Sequence, residues 1–275
     1  MNIRPLTTLA ECRTVAELER TVWGYTDAED VVPPPVLLVS IKRGGILIGG
    51  FDDSGAMKGF VYSIPGLKDG KPMQWSHMLG VAPDARDTGL GARLKLAQRN
   101  AAIAMGLDLI EWTYDPLQAL NAHLNFAKLG VVVTAYEQNV YGESSSPLHR
   151  GTPTDRFIAE WHIRSPHVER RVSQPVDIRF RDATVREAEV VNPSAEGGEW
   201  LRPGAANLDV SSRRLLVEIP MGFGEMQTRV PDLALEWRFR TREIFERYLA
   251  KRYRVVDFFL SRNHGRGHYL LATND

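Results

Sequence analysis

The sequence contains a single cysteine, Cys12, so an internal disulfide is excluded. A chain without disulfides is typical of a reducing compartment, and we expect this protein to be cytoplasmic. Because Cys12 falls among apolar positions of the first predicted helix, we expect its thiol to pack in the core rather than to act as a nucleophile.

Net charge and long apolar runs are also missing. The 34 lysine and arginine residues balance 34 aspartate and glutamate residues, which gives no reason to expect a nucleic acid or an acidic membrane surface as a partner. No apolar run approaches the roughly 18 residues that a membrane-spanning helix needs, and no charged-then-apolar leader is visible. We therefore expect a soluble globular protein without a membrane partner.

Lysine becomes rare in the second half of the chain. Residues 1–149 contain 7 Arg and 6 Lys, whereas residues 150–275 contain 20 Arg and 1 Lys. At 275 residues the chain also exceeds one typical domain of about 100–200 residues. We therefore predict two domains, residues 1–165 and residues 166–275.

The most informative stretch runs from Trp75 to Met105 and is typical of a short strand, a glycine-containing turn and an amphipathic helix. The first N–H groups of a helix have no intrahelical partner, and the helix dipole is positive at that end. Such a turn is therefore an anion site, to which the guanidinium of Arg86 adds a fixed positive charge. This pattern predicts that a phosphorylated ligand binds the turn, formed by Arg86, Asp87, Thr88, Gly89, Leu90, Gly91 and Ala92.

Two common phosphate-binding motifs fit this turn poorly. A P-loop needs Gly-Lys-Ser/Thr at its end, but Gly91 is followed by alanine and arginine. A dinucleotide fingerprint needs a third glycine where Leu94 stands, and Pro83 already ends the strand before the first glycine. Glu111 lies near the spacing of a ribose-binding acid, which leaves the dinucleotide alternative open.

A pattern within this stretch resembles motif A of the GNAT superfamily of coenzyme-A-dependent N-acyltransferases, namely Leu79-x-Val81-x-Pro83-x-x-Arg86-x-x-Gly89-x-Gly91. In that superfamily the motif is the R/Q-x-x-G-x-G/A loop that follows the fourth strand. The resemblance covers roughly residues 1–165. It implies acyl-CoA as the co-substrate, either acetyl-CoA or succinyl-CoA, and no metal.

Periodicity, glycines and prolines predict the element order β-α-α-β-β-β-α-β-α-β-β over residues 1–165, which is the order of the GNAT fold. One continuous helix is predicted from Leu117 to Leu129. The helix that begins at Leu90 is expected to place Lys95 away from its apolar face, which consists of Leu90, Leu94, Ala97, Ala101 and Ala104. The predicted fold class is α/β with a mixed sheet, a GNAT fold followed by a smaller C-terminal α/β domain.

Beyond residue 165 the pattern predicts strands at Arg179–Thr184 and Arg214–Ile219, a helix at Asp232–Lys251 and a closing hairpin. Strand, helix, strand, strand repeats the order in which the first domain ends. We interpret this part as a partial internal duplication, a degenerate half of the GNAT fold. It has no glycine-rich phosphate loop, so a second coenzyme site is not expected.

The resemblance also implies which residues carry the reaction. In the family, a backbone N–H of the fourth strand polarises the thioester carbonyl where that strand splays from the fifth, a role that falls on Leu79. The pantetheine arm would form hydrogen bonds near Val81. Many members have a glutamate base on this strand, but the sequence has Ser76 and His77 there. Histidine accepts a proton near neutral pH, so His77 is the candidate base, and Ser76 points to the opposite face.

The proton donor that is frequent in the family is replaced. It is a tyrosine in the helix after the fifth strand, and Phe126 stands at that position. Tyr114, Tyr136 or solvent would then supply the proton. Asn121 and Asn125 are four residues apart and are expected to share one helix face, from which they could form hydrogen bonds with the pantetheine arm.

Arg238, Arg240 and Arg242 occupy alternate positions of the last predicted helix. The default interpretation is a solvated face, and the alternative is that one of them reaches a carboxylate substrate. Asp155 and Arg156 form either a structural ion pair or a substrate clamp, and the sequence leaves both open.

Together these patterns favour an acyl-CoA-dependent N-acyltransferase that acts on a primary amine of a small molecule. Trp23-Gly24, residues 121–126, Trp237-Arg238 and the C-terminal extension resemble a GNAT subgroup of N-acylamino-acid metabolism, which implies an amino acid as the acceptor. The alternative is a non-catalytic acyl-CoA-binding or assembly protein, favoured by Phe126 and by the missing strand glutamate. The sequence leaves open whether the protein forms a homodimer.

Overall fold

The computed structural model describes residues 1–142, 151–173 and 188–273, and it is a mixed α/β structure, as predicted. The described residues form two compact units. The first contains residues 1–112 and 162–165, and the second contains residues 113–142, 151–161 and 166–273. This division falls within the fifth strand, whereas the composition predicts a boundary after residue 165, and that boundary stays a prediction.

The first unit contains a sheet with helices connecting its strands. Strands β1 to β4 pair antiparallel in chain order, and β5 pairs parallel with β4. The elements are β1 (Asn2–Pro5), α1 (Leu9–Trp23), α2 (Pro34–Ile41), β2 (Ile46–Phe51), β3 (Met57–Lys68), β4 (Lys71–Val81), α3 (Leu90–Ala104) and β5 (Leu109–Tyr114). Together with β6 and β7 of the second unit, these elements confirm the order predicted for residues 1–165.

Local signals at both ends of α1 explain why this helix forms where it does. Thr8 and Glu11 make a reciprocal capping box, which satisfies two first-turn N–H groups. Gly24 ends the helix in the left-handed conformation, with φ of 67°. The inward face of α1 consists of Cys12, Val15, Ala16, Leu18 and Glu19, so the expected burial of the cysteine is confirmed.

The second unit has a sheet of order β7-β6-β12-β13-β11-β8 and a separate β9–β10 pair. Its elements are α4 (Ala119–Ala122), a π-helix (His123–Leu129), β6 (Val132–Glu137), β7 (Arg156–His162), α5 (Pro166–Ser173), β8 (Glu189–Val190), β9 (Ala195–Gly197), β10 (Trp200–Arg202), β11 (Arg214–Pro220), α6 (Phe223–Arg229), α7 (Pro231–Ala250), β12 (Tyr253–Ser261) and β13 (Arg266–Thr273). The predicted strand at Arg179–Thr184 lies outside the described residues. The internal duplication stays a prediction.

The core of the second unit is dominated by aromatic rings. Phe157 is fully buried and lies edge-on to Phe245, with ring centroids 4.6 Å apart. Tyr269 packs against both rings. Two buried indoles donate to backbone carbonyls, Trp161 to Leu129 at 2.7 Å and Trp237 to Leu201 at 2.9 Å. These bonds satisfy the polar edge of each indole inside the core.

Two expectations about helices are wrong. The segment 117–129 is not one α-helix, because α4 changes into a π-helix at His123. The buried face of α3 also differs from the predicted one, since Lys95 and Gln98 are buried with Leu90 and Leu94. Buried hydrogen-bond partners on β4, described below, explain why these polar residues turn inward. Among the described helices, none combines the length and apolar character needed to cross a membrane.

Candidate functional site

Strands β4 and β5 pair over a short length and then part. Their parallel ladder contains Gln74 with Ile110 and Trp75 with Glu111, although β4 continues to Val81. The β4 backbone from residue 76 to residue 81 therefore extends past its pairing with β5. An unpaired strand edge presents N–H and C=O groups to any extended chain that can lie along it.

A β-bulge lies where the two strands part. In the antiparallel ladder of β3 and β4, Tyr62 pairs with Met78 but Ser63 pairs with Ser76, so His77 is the extra residue. A bulge bends its strand and redirects one side chain. Accordingly His77 is exposed while Ser76 and Met78 are buried, which agrees with the expectation that His77 and Ser76 lie on opposite faces.

The side chains of Leu79 and Val81 face the start of α3. A Cβ placed on Gly91 would lie 3.8 Å from Leu79 Cδ2 and 3.8 Å from Val81 Cγ2. Both residues are partly buried and pair with β3. The glycine-containing turn and the free length of β4 are thus neighbours, as the sequence pattern predicts.

The turn that precedes α3 is exposed. Arg86, Asp87, Thr88 and Gly89 are all solvent-accessible, whereas Leu90 is buried. Asp87 and Gly89 adopt positive φ values of 60° and 80°. No side chain caps α3, and within the described chain the Arg86 guanidinium forms no ion pair. The first-turn N–H groups of α3 are therefore available to an anion, with a positive charge beside them.

Alanine is expected to change the free energy of unfolding in opposite directions at the two glycines of this turn. Gly89→Ala is expected to lower the free energy of unfolding by about 1 kcal/mol, because an L-residue in the left-handed region is strained. A Cβ there meets nothing within 4 Å, so the effect comes from the backbone alone. Gly91→Ala is expected to be neutral or stabilising by up to about 1 kcal/mol, since it adds a helix-favouring residue with ordinary contacts. Urea unfolding measures both, and an equal loss in the two variants would contradict the argument.

The imidazole of His77 is suited to accept a proton. It lies edge-on to the ring of Tyr62, with centroids 6.1 Å apart. Although its outer surface is exposed, the atoms around it remove part of its hydration, and this desolvation lowers its pKa below the ordinary 6.5. The ring is therefore neutral at pH 7 and can act as a base.

A buried lysine on the other face of β4 was not predicted. Lys95 Nζ donates to Ser76 Oγ at 3.0 Å and lies 3.6 Å from the ring centroid of Trp112. Gln98 Nε2 donates to the same hydroxyl at 3.0 Å. Burial lowers the pKa of Lys95 well below its ordinary value. This network fixes Ser76 as a structural residue, so Ser76 is not part of the candidate site.

A buried carboxyl group on the face of α1 was missed as well. Glu19 is fully buried, and its Oε2 accepts the N–H of Val32 at 3.0 Å. Desolvation raises its pKa from 4.5 to about 7. Burial raises the pKa of Tyr62, and the negative charge of Glu19 raises it further; the ring of Tyr62 in turn contacts His77. The signal in the sequence is the helical spacing, which places an acid at the position that follows Cys12, Val15 and Ala16 on the apolar face.

The tyrosines proposed as proton donors belong to the second unit, where Tyr136 is half-buried. Tyr114 is buried, and desolvation and the neighbouring Tyr269 raise its pKa well above 10. Tyr136 donates to Asp155 Oδ2 at 2.5 Å, and desolvation also raises its pKa. A phenol with a raised pKa is a weak acid, so neither environment favours proton donation. Phe126 is buried and packs edge-on to Tyr269.

Asn121 and Asn125 lie in different environments. Asn121 belongs to α4 and is exposed, whereas Asn125 belongs to the π-helix and has 4% of its surface exposed. The two amides therefore differ in exposure although they are four residues apart in the chain. Their role in binding a pantetheine arm stays a prediction.

No protein-family model matches this sequence, and no curated protein matches it. Solved structures similar to part of the chain include acetyltransferases. An acetyltransferase of the GNAT family from Streptococcus pneumoniae is 15% identical with a TM-score of 0.47, covering 58% of this chain and 97% of that one. The ribosomal-protein-S18-alanine N-acetyltransferase from Escherichia coli is 15% identical with a TM-score of 0.46, covering 59% and 93%.

A Salmonella typhimurium structure that contains acetyl-CoA as its cofactor is 19% identical with a TM-score of 0.48, covering 60% of this chain and 95% of that one. At identities of 15–19% and TM-scores of 0.46–0.48, these likenesses assign no activity to this chain. Within the described ranges, no group of three or more His, Cys, Asp or Glu side chains is placed to hold a metal ion.

Proposed function

We propose that this protein is an acyl-CoA-dependent N-acyltransferase of the GNAT superfamily. The observation that carries the proposal is the parting of β4 from β5 beyond Trp75, next to the exposed turn that starts α3. One side of this arrangement suits a diphosphate and the other suits an extended amide chain, and coenzyme A contains both.

The residues present fit coenzyme A. The turn from residue 86 to residue 92 offers uncapped helix N–H groups and the exposed guanidinium of Arg86, which would hold the diphosphate. The β4 edge near Val81 would pair with the amides of the pantetheine arm, in the manner of an added strand. When bound, acyl-CoA supplies an activated thioester to the site.

The protein's own residues would do two tasks in this reaction. His77, neutral at pH 7, would take the proton of the attacking ammonium group and so release its lone pair. A backbone N–H of β4, assigned by resemblance to Leu79, would stabilise the oxyanion that forms on the thioester carbonyl. Tyr114 and Tyr136, whose pKa values are raised, are poor acids, so we propose that solvent protonates the leaving thiolate.

The substrates follow from the resemblance stated above. We propose acetyl or succinyl as the acyl group and the primary amine of a small molecule, such as an amino acid, as the acceptor. A cytoplasmic location and a possible homodimer belong to the same proposal. No nucleic acid or membrane is needed for this activity.

The proposal is tested by binding and turnover together. Titration calorimetry with coenzyme A is expected to give a saturable heat that weakens about tenfold in Arg86→Ala, because one charged contact to the diphosphate is lost. Arg43→Ala, which removes an exposed arginine outside the turn, serves as the matched control with unchanged affinity. Absence of heat with any coenzyme A species would reject the proposal.

Turnover is followed as thiol release from acetyl-CoA and succinyl-CoA with a panel of amino acids. His77→Ala is expected to lower kcat/KM by about 100-fold or more, the usual contribution of a general base, while coenzyme A affinity is retained. The exposed His264 provides the control variant His264→Ala, which should retain full activity. Equal activity in both variants would remove His77 from the mechanism.

A second candidate function is a non-catalytic acyl-CoA-binding protein. The buried Phe126 at the proton-donor position and the raised pKa of Tyr114 favour it. The calorimetric titration and the thiol-release assay together separate the two candidates. Tight binding of coenzyme A without thiol release on any amine would support the binding protein.

A further inference from the structure

Arg238 lies on α7 with only 1% of its side chain exposed, so the expectation of a solvated face is wrong for this residue. Its Nη2 donates to Asp115 Oδ2 at 2.7 Å. Among the residues that the structure describes, no acceptor bonds to its Nε or Nη1, and neither atom contacts solvent. Buried donors of a charged group that lack an acceptor are strongly unfavourable.

The neighbouring acid cannot supply the missing acceptor. Asp155 binds Arg242 through both oxygens, with Nε to Oδ2 at 2.8 Å and Nη2 to Oδ1 at 2.7 Å. It also accepts the hydroxyl of Tyr136 and the N–H of Asn139. All strong acceptor positions of this carboxylate are therefore occupied by other partners.

Arg238 nevertheless remains charged. Burial acts against its charge, but the surrounding acidic groups, chiefly the carboxylate of Asp115 and also that of Asp155, together raise the pKa of the guanidinium. The ring of Phe223 lies 5.2 Å from its Cζ. The residue thus holds a fixed cation in an apolar setting, where a charge-assisted hydrogen bond is strongest.

The pair of Arg238 and Asp115 lies close to the protein surface. Asp115 keeps 14% of its side chain exposed, and the neighbouring Arg242 keeps 18%. The guanidinium of Arg238 is therefore buried directly behind two side chains that solvent reaches.

We propose that the second unit contains a binding site for a small monocarboxylate, with Arg238 Nε and Nη1 as its donors. A carboxylate oxygen would satisfy donors that no described residue satisfies. A single negative charge is favoured over a phosphate dianion, because Asp115 already lies beside the guanidinium and would repel the larger charge. This inference is independent of acyl transfer.

The test uses the full-length protein labelled with ¹⁵N-arginine. Sodium acetate is the probe, with sodium phosphate and sodium chloride at equal ionic strength as the comparison arms. The Nε–H resonance of Arg238, assigned by its loss in Arg238→Met, is expected to shift saturably with acetate and not with chloride. Phosphate is expected to bind at least tenfold more weakly. A resonance that acetate leaves unchanged would overturn the proposal and indicate a bound water instead.

Calorimetry with acetate on variants gives an independent readout. Arg238→Met is expected to weaken acetate binding at least tenfold, whereas Arg240→Met on the same helix keeps the wild-type affinity. Because Arg238→Met alone leaves Asp115 unpaired, the double variant Asp115→Asn, Arg238→Met is included to keep the region neutral. Undiminished acetate binding in a folded variant without Arg238 would place the ligand elsewhere and refute the site.

Discussion

Replacing Asp155 by alanine is expected to lower the free energy of unfolding by about 3–5 kcal/mol. Asp155 is fully buried and accepts hydrogen bonds from Arg242, from the Tyr136 hydroxyl and from the Asn139 N–H. The substitution would leave a mostly buried guanidinium and a half-buried phenol without their acceptor, and desolvated donors are poorly rehydrated in the folded state. Denaturant unfolding followed by circular dichroism measures the loss.

An exposed ion pair on the same helix provides the control. Arg240 and Glu243 are 3.4 Å apart, with 38% and 51% of their side chains exposed. Glu243→Ala is expected to cost no more than about 0.5 kcal/mol, because water replaces the lost contact. The double variant Asp155→Ala, Arg242→Met should lose less than the sum of the single variants, since the pair is removed together. Comparable losses for Asp155→Ala and Glu243→Ala would show that the buried pair has no special weight.

The second large effect is a pH dependence of stability caused by Glu19. Its pKa rises from 4.5 to about 7 in the folded protein, chiefly because burial disfavours the charged form. Below pH 4.5 the carboxyl group is protonated in both states, and its contribution to stability is complete. As the pH rises towards 7 the unfolded state ionises first, so that contribution is lost, which amounts to roughly 3 kcal/mol. Above pH 7 no further loss is expected from this group.

Glu19→Gln should remove this loss, because the amide stays neutral and its oxygen can still accept the Val32 N–H. The difference in unfolding free energy between wild type and variant is expected to change by roughly 3 kcal/mol between pH 4.5 and pH 8. Other titrating groups cancel in that difference. Glu17→Gln, an exposed change on the same helix, is the matched control and should follow the wild type. A parallel pH profile for Glu19→Gln would refute the assigned pKa.

The candidate site was only partly predictable from the sequence. The turn before α3 was predicted because glycine at a positive φ and an uncapped helix start are local properties of the chain. The exposure of His77 depends on a β-bulge, which exists only when β3 is laid against β4. The burial of the Lys95 side chain likewise depends on the Ser76 hydroxyl of β4 and the Trp112 indole of β5, which only the folded sheet places beside it.

The same distinction separates Arg238 from Arg240. Both are arginines on one helix, and a separation of two residues turns them to different sides of it, but the sequence pattern does not show which side is covered. Only the packing of α7 in its unit shows that Arg238 is buried against Asp115, a residue far away in sequence. The change from α4 to a π-helix at His123 was also not predictable, because no local residue pattern distinguished it from a continuous α-helix.

The sequence by itself determined the mixed α/β class, the order of strands and helices through the first 165 residues, and the glycine-containing turn before α3. These follow from short-range causes: hydrophobic period, caps, and glycine or proline at turns. The tertiary structure alone decided where β4 parts from β5, which acids and bases are buried, and how far each pKa moves. Those properties arise from contacts between residues distant in the chain, and desolvation by such contacts leaves no trace in local sequence.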